Sequence, residues 1–215
     1  QGQTMIIHDV VQGTEEWQRL RMGIPTASNF DRIITPTGRP STAAENYMYE
    51  LLAEILMGAP IVEVTTPMID RGTDLEPEAV DYYEFEKDVE TELIGFVTDN
   101  ANTYGASPDR LVGDEGLLEV KCPSPHIQVG YLLYSTVARK YYPQLQGQLY
   151  VTERKWVDIC SYYPGMPTCI IHVERDEVYI KLLAEGLQNF LRLLDENKQE
   201  LITRGFLKQI ERLKG

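Results

Sequence analysis

The sequence predicts an α/β (α+β) sandwich, a central mixed β-sheet flanked by helices, on three observations. Helical patterning dominates residues 14–87, short strands with turn signals dominate 92–122, and the two alternate from there to the C-terminus. Gly113-Asp114-Glu115-Gly116 is a turn signal, and Leu117–Cys122 follows it as a strand. No repeat, low-complexity tract or linker divides the 215 residues, a length that suits one domain with its own core over 1–215.

Thr14–Met22 reads as a helix, with Thr14 at the N-cap and Trp17 and Leu20 spaced for one face. Gly23-Ile24-Pro25 breaks it, and Thr26-Ala27-Ser28 opens a second, short helix. Pro36–Pro40 is a loop rich in Pro, Thr and Gly. Thr42–Met57 is a helix that Gly58 stops. Ile69–Lys87 is a third, with Pro77 placed in its first turn. An antiparallel meander follows: Glu92–Thr98, Tyr104–Ala106, Arg110–Val112, a turn at Gly113-Asp114-Glu115-Gly116, and Leu117–Cys122. Helices are expected at Ile127–Ala138 and Pro143–Val151, strands at Trp156–Tyr163 and Cys169–Glu174. A C-terminal helical stretch spans Asp176–Lys214 with a break near Gly205.

Composition excludes several classes. No apolar run approaches the roughly 20 residues that cross a bilayer, and the N-terminus lacks a basic-then-apolar leader, so a cytoplasmic location and no membrane partner are expected. Gln1–Thr4 reads as an added tail ahead of a natural start at Met5. Cys122, Cys160 and Cys169 show no CxxC spacing, which argues against a disulfide framework, a zinc ribbon or a four-cysteine iron–sulfur cluster. The net charge of −13 argues against a generally basic nucleic-acid surface, although a metal site is itself a local collection of acids.

The chemistry concentrates in Ser107-Pro108-Asp109 and Leu118-Glu119-Val120-Lys121-Cys122. Antiparallel pairing across the turn sets Asp109 beside Glu119. Glu119 and Lys121, two apart on one strand, share a face. Two acids and an amine on one hairpin face suit phosphodiester hydrolysis. Carboxylates hold Mg²⁺, which lowers the pKa of a bound water, and a desolvated lysine positions or deprotonates that water. A further carboxylate is expected from the preceding helix. Glu76 shares a face with Gly72, Val80 and Tyr83, whereas Glu78 shares one with Asp74 and Asp81; Glu76 is the better candidate. This is the PD-(D/E)xK pattern, which restriction-type endonucleases and RecB-like or CRISPR-associated nucleases also carry. A non-enzymatic acidic binding domain is the alternative that the charge favours.

Taken in order, further segments resemble the lambda-exonuclease (YqaJ-type) family of phage recombination nucleases. They are Gly13-Thr14-Glu15-Glu16-Trp17, Arg19-Leu20-Arg21-Met22-Gly23, Thr26-Ala27-Ser28, Leu51-Leu52-Ala53-Glu54 and Arg71-Gly72-Thr73-Asp74-Leu75-Glu76. Ala106-Ser107-Pro108-Asp109, Leu118–Pro123, Tyr141–Gln146 and Val173–Glu177 complete the series, while 124–140 has no clear counterpart. The resemblance implies a restriction-endonuclease-like core and a 5′→3′ exonuclease on linear double-stranded DNA that leaves a 3′ single-stranded tail. It implies Mg²⁺, with Mn²⁺ able to substitute and two ions per site, a homotrimeric ring, a single-strand annealing protein as partner, and a phage or prophage origin in a bacterial host. Asp109, Glu119, the Val120 carbonyl and Glu76 fall on metal ligands, and Lys121 on the catalytic lysine. Arg21, Ser28, Ser107 and Gln144 fall on a 5′-phosphate pocket. Arg39, in the Pro36–Pro40 loop, falls where a DNA contact is expected.

Overall fold

The computed structural model describes residues 5–61 and 67–206, with the backbone alone for 67–73. Strand β1 (Met5–His8) leads to helix α1 (Glu15–Arg21), a 3-10 helix (Ala27–Arg32), α2 (Ala44–Met57) and α3 (Pro67–Lys87). Then come β2 (Thr91–Leu93), β3 (Phe96–Asp99), β4 (Gly105–Ala106), β5 (Arg110–Val112) and β6 (Gly116–Lys121). Helices α4 (Pro125–Tyr134), α5 (Val137–Lys140) and α6 (Tyr142–Thr152) carry the chain over to β7 (Trp156–Ser161), β8 (Cys169–Glu174) and α7 (Glu177–Thr203). No helix among the described residues is long and apolar enough to cross a membrane.

The strands form a five-stranded sheet, β2-β5-β6-β7-β8, and a three-stranded one, β1-β3-β4. In the larger sheet β6 and β7 are parallel and the other pairs antiparallel, so it is mixed as expected. The parallel pair follows from the helical crossover, because a tight turn joins only antiparallel neighbours. Strand alternation gives the sheet two apolar faces. Leu118, Val120 and Cys160 pack with Ala79, Val80 and Tyr83 of α3. Leu117, Val157 and Ile159 pack with Tyr131, Leu145 and Leu149 from the crossover helices. A third cluster joins the buried stripe of α7 (Tyr179, Leu183, Leu187, Phe190) to α2 and the 3-10 helix.

Four expectations need correction. Glu92–Thr98 is two strands in different sheets, parted at Gly95. A Cβ there would lie 2.4 Å from the Val10 carbonyl oxygen and 2.5 Å from that of His8, so the chain crosses backbone at a point only glycine allows. Pro77 lies inside α3, about three turns in, because the helix starts at Pro67. The Ile127–Ala138 helix is α4 and α5, separated where Ser135 turns left-handed (φ 51°). Strand β1, unassigned from sequence, pairs with β3 from Met5↔Asp99 to His8↔Phe96. The break near Gly205 (φ 82°) is present, Gln1–Thr4 and 207–215 lie outside the described residues, and so does the side of Gly72.

Candidate active site

The β5–β6 hairpin sets the geometry. Its register pairs Arg110 with Leu118, which places Asp109, one residue earlier, opposite Glu119. Asp109 Oδ2 accepts a hydrogen bond from the Val120 amide at 2.6 Å, so its side chain takes over where the β5 ladder stops. In an extended strand the amide and carbonyl of one residue point to the same edge. The Val120 carbonyl therefore also faces the Asp109 edge. Glu119 and Lys121 share the face opposite the buried Leu118 and Val120, and Lys121 Nζ donates to Glu119 Oε1 at 2.6 Å.

Helix α6 covers that face. Gln144 donates to Glu119 Oε1 and Gln148 to Oε2, each at 2.6 Å. Glu119 is 3% exposed, so three donors on its two oxygens are what keep a buried carboxylate tolerable. Gln148 escaped the sequence reading, yet its spacing of four from Gln144 on a helix buried along Leu145 and Leu149 puts both amides on one face. The Gln148 Oε1 atom is buried without a hydrogen-bond partner among the described residues.

Burial pushes the Asp109 carboxyl well up, and the charges of Glu119 and Glu76 push it further, against the pull of Lys121 and the Val120 amide. Burial pulls Lys121 down, but Glu119 and Asp109 outweigh it, and its pKa is raised. The desolvation expected to soften this lysine is present, and the two carboxylates offset it. Glu76 lies on the Asp109 side of α3 and takes Arg110 Nη1 at 3.3 Å, while Arg110 also donates to the Asp109 carbonyl at 2.8 Å. Glu78 points elsewhere and accepts from the Tyr162 hydroxyl.

Among the described residues no three acidic, His or Cys side chains already converge on one point. The donor chemistry nonetheless fits Mg²⁺, which commonly uses one or two carboxylates and keeps several waters. Asp109 and Glu119 repel each other in a buried setting, the Val120 carbonyl edge is beside them, and the orphaned Gln148 oxygen offers an acceptor for a metal-bound water. Glu76 would join by leaving Arg110.

Two residues before Asp109, Ser107 belongs to a second constellation. Its Oγ accepts from Trp17 Nε1 at 2.9 Å and from Arg21 at 3.5 Å. Arg21 also reaches Thr26 Oγ1 and Ser28 Oγ, each at 3.3 Å, and stacks 4.0 Å over the Trp17 ring. Trp17 and Arg21 are one turn apart on α1 and so share a face. The 3-10 helix bearing Ser28 is tied to β4 by a parallel bridge, Thr26↔Gly105, and by the Gly105 amide on the Pro25 carbonyl at 3.1 Å. Arg21, Thr26 and Ser28 line a cleft of about 510 Å³. Burial pulls the Arg21 guanidinium down to about 10, against Tyr47 and Glu54, and no carboxylate among the described residues pairs with it. Of the four residues expected to hold a phosphate, Arg21, Ser28 and Ser107 stand together and Gln144 stands on Glu119. Trp17 and Thr26 were missed. Arg39 is exposed on the Pro36–Pro40 turn, away from both groups in the hydrogen-bond pattern.

Residues 16–155 match the YqaJ-like viral recombinase domain. The fold is similar to that of an alkaline exonuclease, LHK-Exo from Laribacter hongkongensis, at 31% identity and a TM-score of 0.81, covering 89% of this chain and 98% of that one. The same figures hold for LHK-Exo in complex with dAMP. A phage-related exonuclease from Haemophilus somnus 129PT shares the fold at 14% identity and a TM-score of 0.67, over 83% of this chain and 96% of that one. No curated protein matches the chain. The hairpin that presents Asp109, Glu119 and Lys121 thus sits within a matched stretch that covers most of the molecule, and the chain belongs to the YqaJ-like viral recombinase family as a deoxyribonuclease on a PD-(D/E)xK core.

Proposed function

We propose that the protein is a Mg²⁺-dependent exonuclease that digests linear double-stranded DNA from the 5′ end and leaves a 3′ single-stranded tail for strand annealing. The observation that carries this reading is Arg21, a partly buried cation with no ion-pair partner among the described residues, held by the hydroxyls of Thr26, Ser28 and Ser107, the last of them two residues along the chain from Asp109. Glu54 in the same cleft offsets the burial of this charge only through space, and a terminal phosphate would offset it further through direct charge-assisted bonds.

In this reading Asp109, Glu119 and the Val120 carbonyl, joined by Glu76, would hold Mg²⁺, with two ions per site and Mn²⁺ able to replace it. The ion supplies an activated water and a counter-charge for the phosphoryl oxygens. Lys121, on the same strand face as Glu119, would place a positive charge and donors beside the reacting phosphate. Gln144 is the neutral donor on Glu119 Oε1. Were a metal ion to take that oxygen, the Gln144 amide would be free to reach the substrate phosphate. Arg21, Ser28 and Ser107 fix the 5′ end so that the next phosphodiester lies over the acidic pair, which is catalysis by positioning. We further propose a homotrimeric ring, which holds DNA by enclosure and needs few phosphate contacts. It would work with a single-strand annealing protein in the cytoplasm of a bacterial host.

The test is a set of rates on linear duplex with Mg²⁺: wild type and Arg21→Ala, each on 5′-phosphorylated and 5′-hydroxyl ends. Wild type should prefer the phosphorylated end strongly, and Arg21→Ala should erase the preference while slowing the hydroxyl substrate little. A wild type indifferent to the 5′ group, or activity that survives excess chelator, would refute the reading.

A further inference from the structure

We propose that the groove between the Pro36–Pro40 loop and α5 binds single-stranded nucleic acid, namely the strand left uncut as its complement is digested. The proposal rests on the exonuclease reading above. The groove has a volume of about 390 Å³ and is lined by Pro36 and Thr37 from the loop, Ala138 and Arg139 from α5, and Tyr142 from α6. That is small-ligand scale, with room for single-stranded chain and none for a duplex.

The loop wall is built in place. Tyr179 of α7 donates to the Thr35 carbonyl at 2.9 Å, and the Gly38 tip lies against Leu182, so the loop is seated on α7. On the other side Tyr142 meets the Tyr179 ring edge-on at 4.8 Å and donates to Asp176 at 2.7 Å. Its apolar lining of proline, alanine and tyrosine suits base faces, which accept such surfaces with little regard to sequence.

Charge decides the occupant. Arg39, Arg139 and Lys140 are exposed. None pairs with a carboxylate among the described residues, although the chain carries net −13 and most cations away from this region are paired. Arg139 lines the groove, Arg39 belongs to its loop wall, and Lys140 follows on α5, bonded to the Tyr131 and Tyr141 side chains; cations without a carboxylate partner beside a groove in an acidic protein are complementary to a polyanion. They also lead to the reaction centre: the Tyr141 ring lies 5.0 Å from Lys140 Nζ and 4.6 Å from Lys121 Nζ. Arg21 and Ser107, on the Asp109 side, account for the end of the cut strand. The α5 cations, on the Lys121 side, are left for its complement.

The test compares wild type, Arg139→Ala/Lys140→Ala and the charge-keeping swap Arg139→Lys/Lys140→Arg. Equilibrium binding is measured in chelator, over a range of salt, on one duplex with 5′-hydroxyl ends made blunt, 3′-tailed or 5′-tailed. The double alanine variant should bind the 3′-tailed duplex roughly tenfold more weakly at low salt. Its slope of log Kd against log salt should shrink by about 1.4, two single-strand phosphate contacts at about 0.7 each. The blunt and 5′-tailed duplexes should change little, and the swap should behave as wild type. An unchanged slope on the 3′-tailed duplex, or an equal loss on all three, overturns the proposal. A parallel digestion of linear duplex by wild type with Mg²⁺ reads the exonuclease assignment separately, since binding is measured without turnover.

Discussion

At Glu119, two carboxylate oxygens carry an ammonium and two amides inside a closed face, and Asp109 lies across the strand gap with its own charge disfavoured. Such a pair is poor for folding, and a divalent cation would relieve it. Asp109→Ala, Glu119→Ala and Lys121→Ala should each lower the rate by at least about 10²–10⁴-fold, the range for loss of a positioned acid–base or charge-stabilising group. Circular dichroism should still report a folded protein, and near-normal turnover in any of the three would remove that residue from the mechanism. Glu76→Ala should damage activity more than Glu78→Ala, since Glu76 faces Asp109 and Arg110 whereas Glu78 faces Tyr162. The reverse ranking would mean that the helix face has been misread.

At the scale of elements, helix α7 depends on a cap. Asp176 accepts from the Val178 and Tyr179 amides at 3.0 Å and from the Tyr142 hydroxyl. Asp176→Ala should cost about 1 kcal/mol in denaturant unfolding. The Tyr179 amide and then the Tyr142 hydroxyl hold the Asp176 pKa below the ordinary carboxylate value. Its contribution is therefore complete above about pH 4 and lost as pH falls through the lower folded value. The gap between wild type and variant should close in acid, and a gap that persists there would place the effect in packing rather than in charge. Elements with a local signature were readable: the alternation of β6 placed Glu119 and Lys121 together, and Asp176 and Gly205 bracketed α7. Elements fixed by distant contacts were not. Gly95 looks like any strand glycine until the backbone at His8–Val10 crosses it, and Ser135 carries no mark of a helix break. Gln148 is an ordinary helix residue until Glu119 is set opposite. Gln144 is placed on the phosphate pocket by the family resemblance, and its bond to Glu119, 25 residues away in the chain, has no local signature.

For the whole molecule, the charge of −13 sets the terms of association with DNA. A free acidic monomer would meet long-range repulsion, whereas an enclosing ring substitutes topology for attraction. Sedimentation at assay concentration should find a trimer. A monomer that still digests long duplexes without letting go would count against enclosure. Two parts of the fold also meet at a fixed interval. Ser107 touches Arg21 and Asp109 touches the Val120 amide, and the two peptide units between their Cα atoms span at most about 7 Å of extended chain. The bridge from Thr26 to Gly105 ties the segment bearing Ser28 to the strand that leads into Ser107. In the proposed reading the site would be a ruler one nucleotide long, with the anchored terminal phosphate and the cut phosphate counted off by the backbone itself. Mass spectrometry of the digest should find 5′-mononucleotides from the first turnover onward, while a ladder of di- and trinucleotides would mean that the ruler slips.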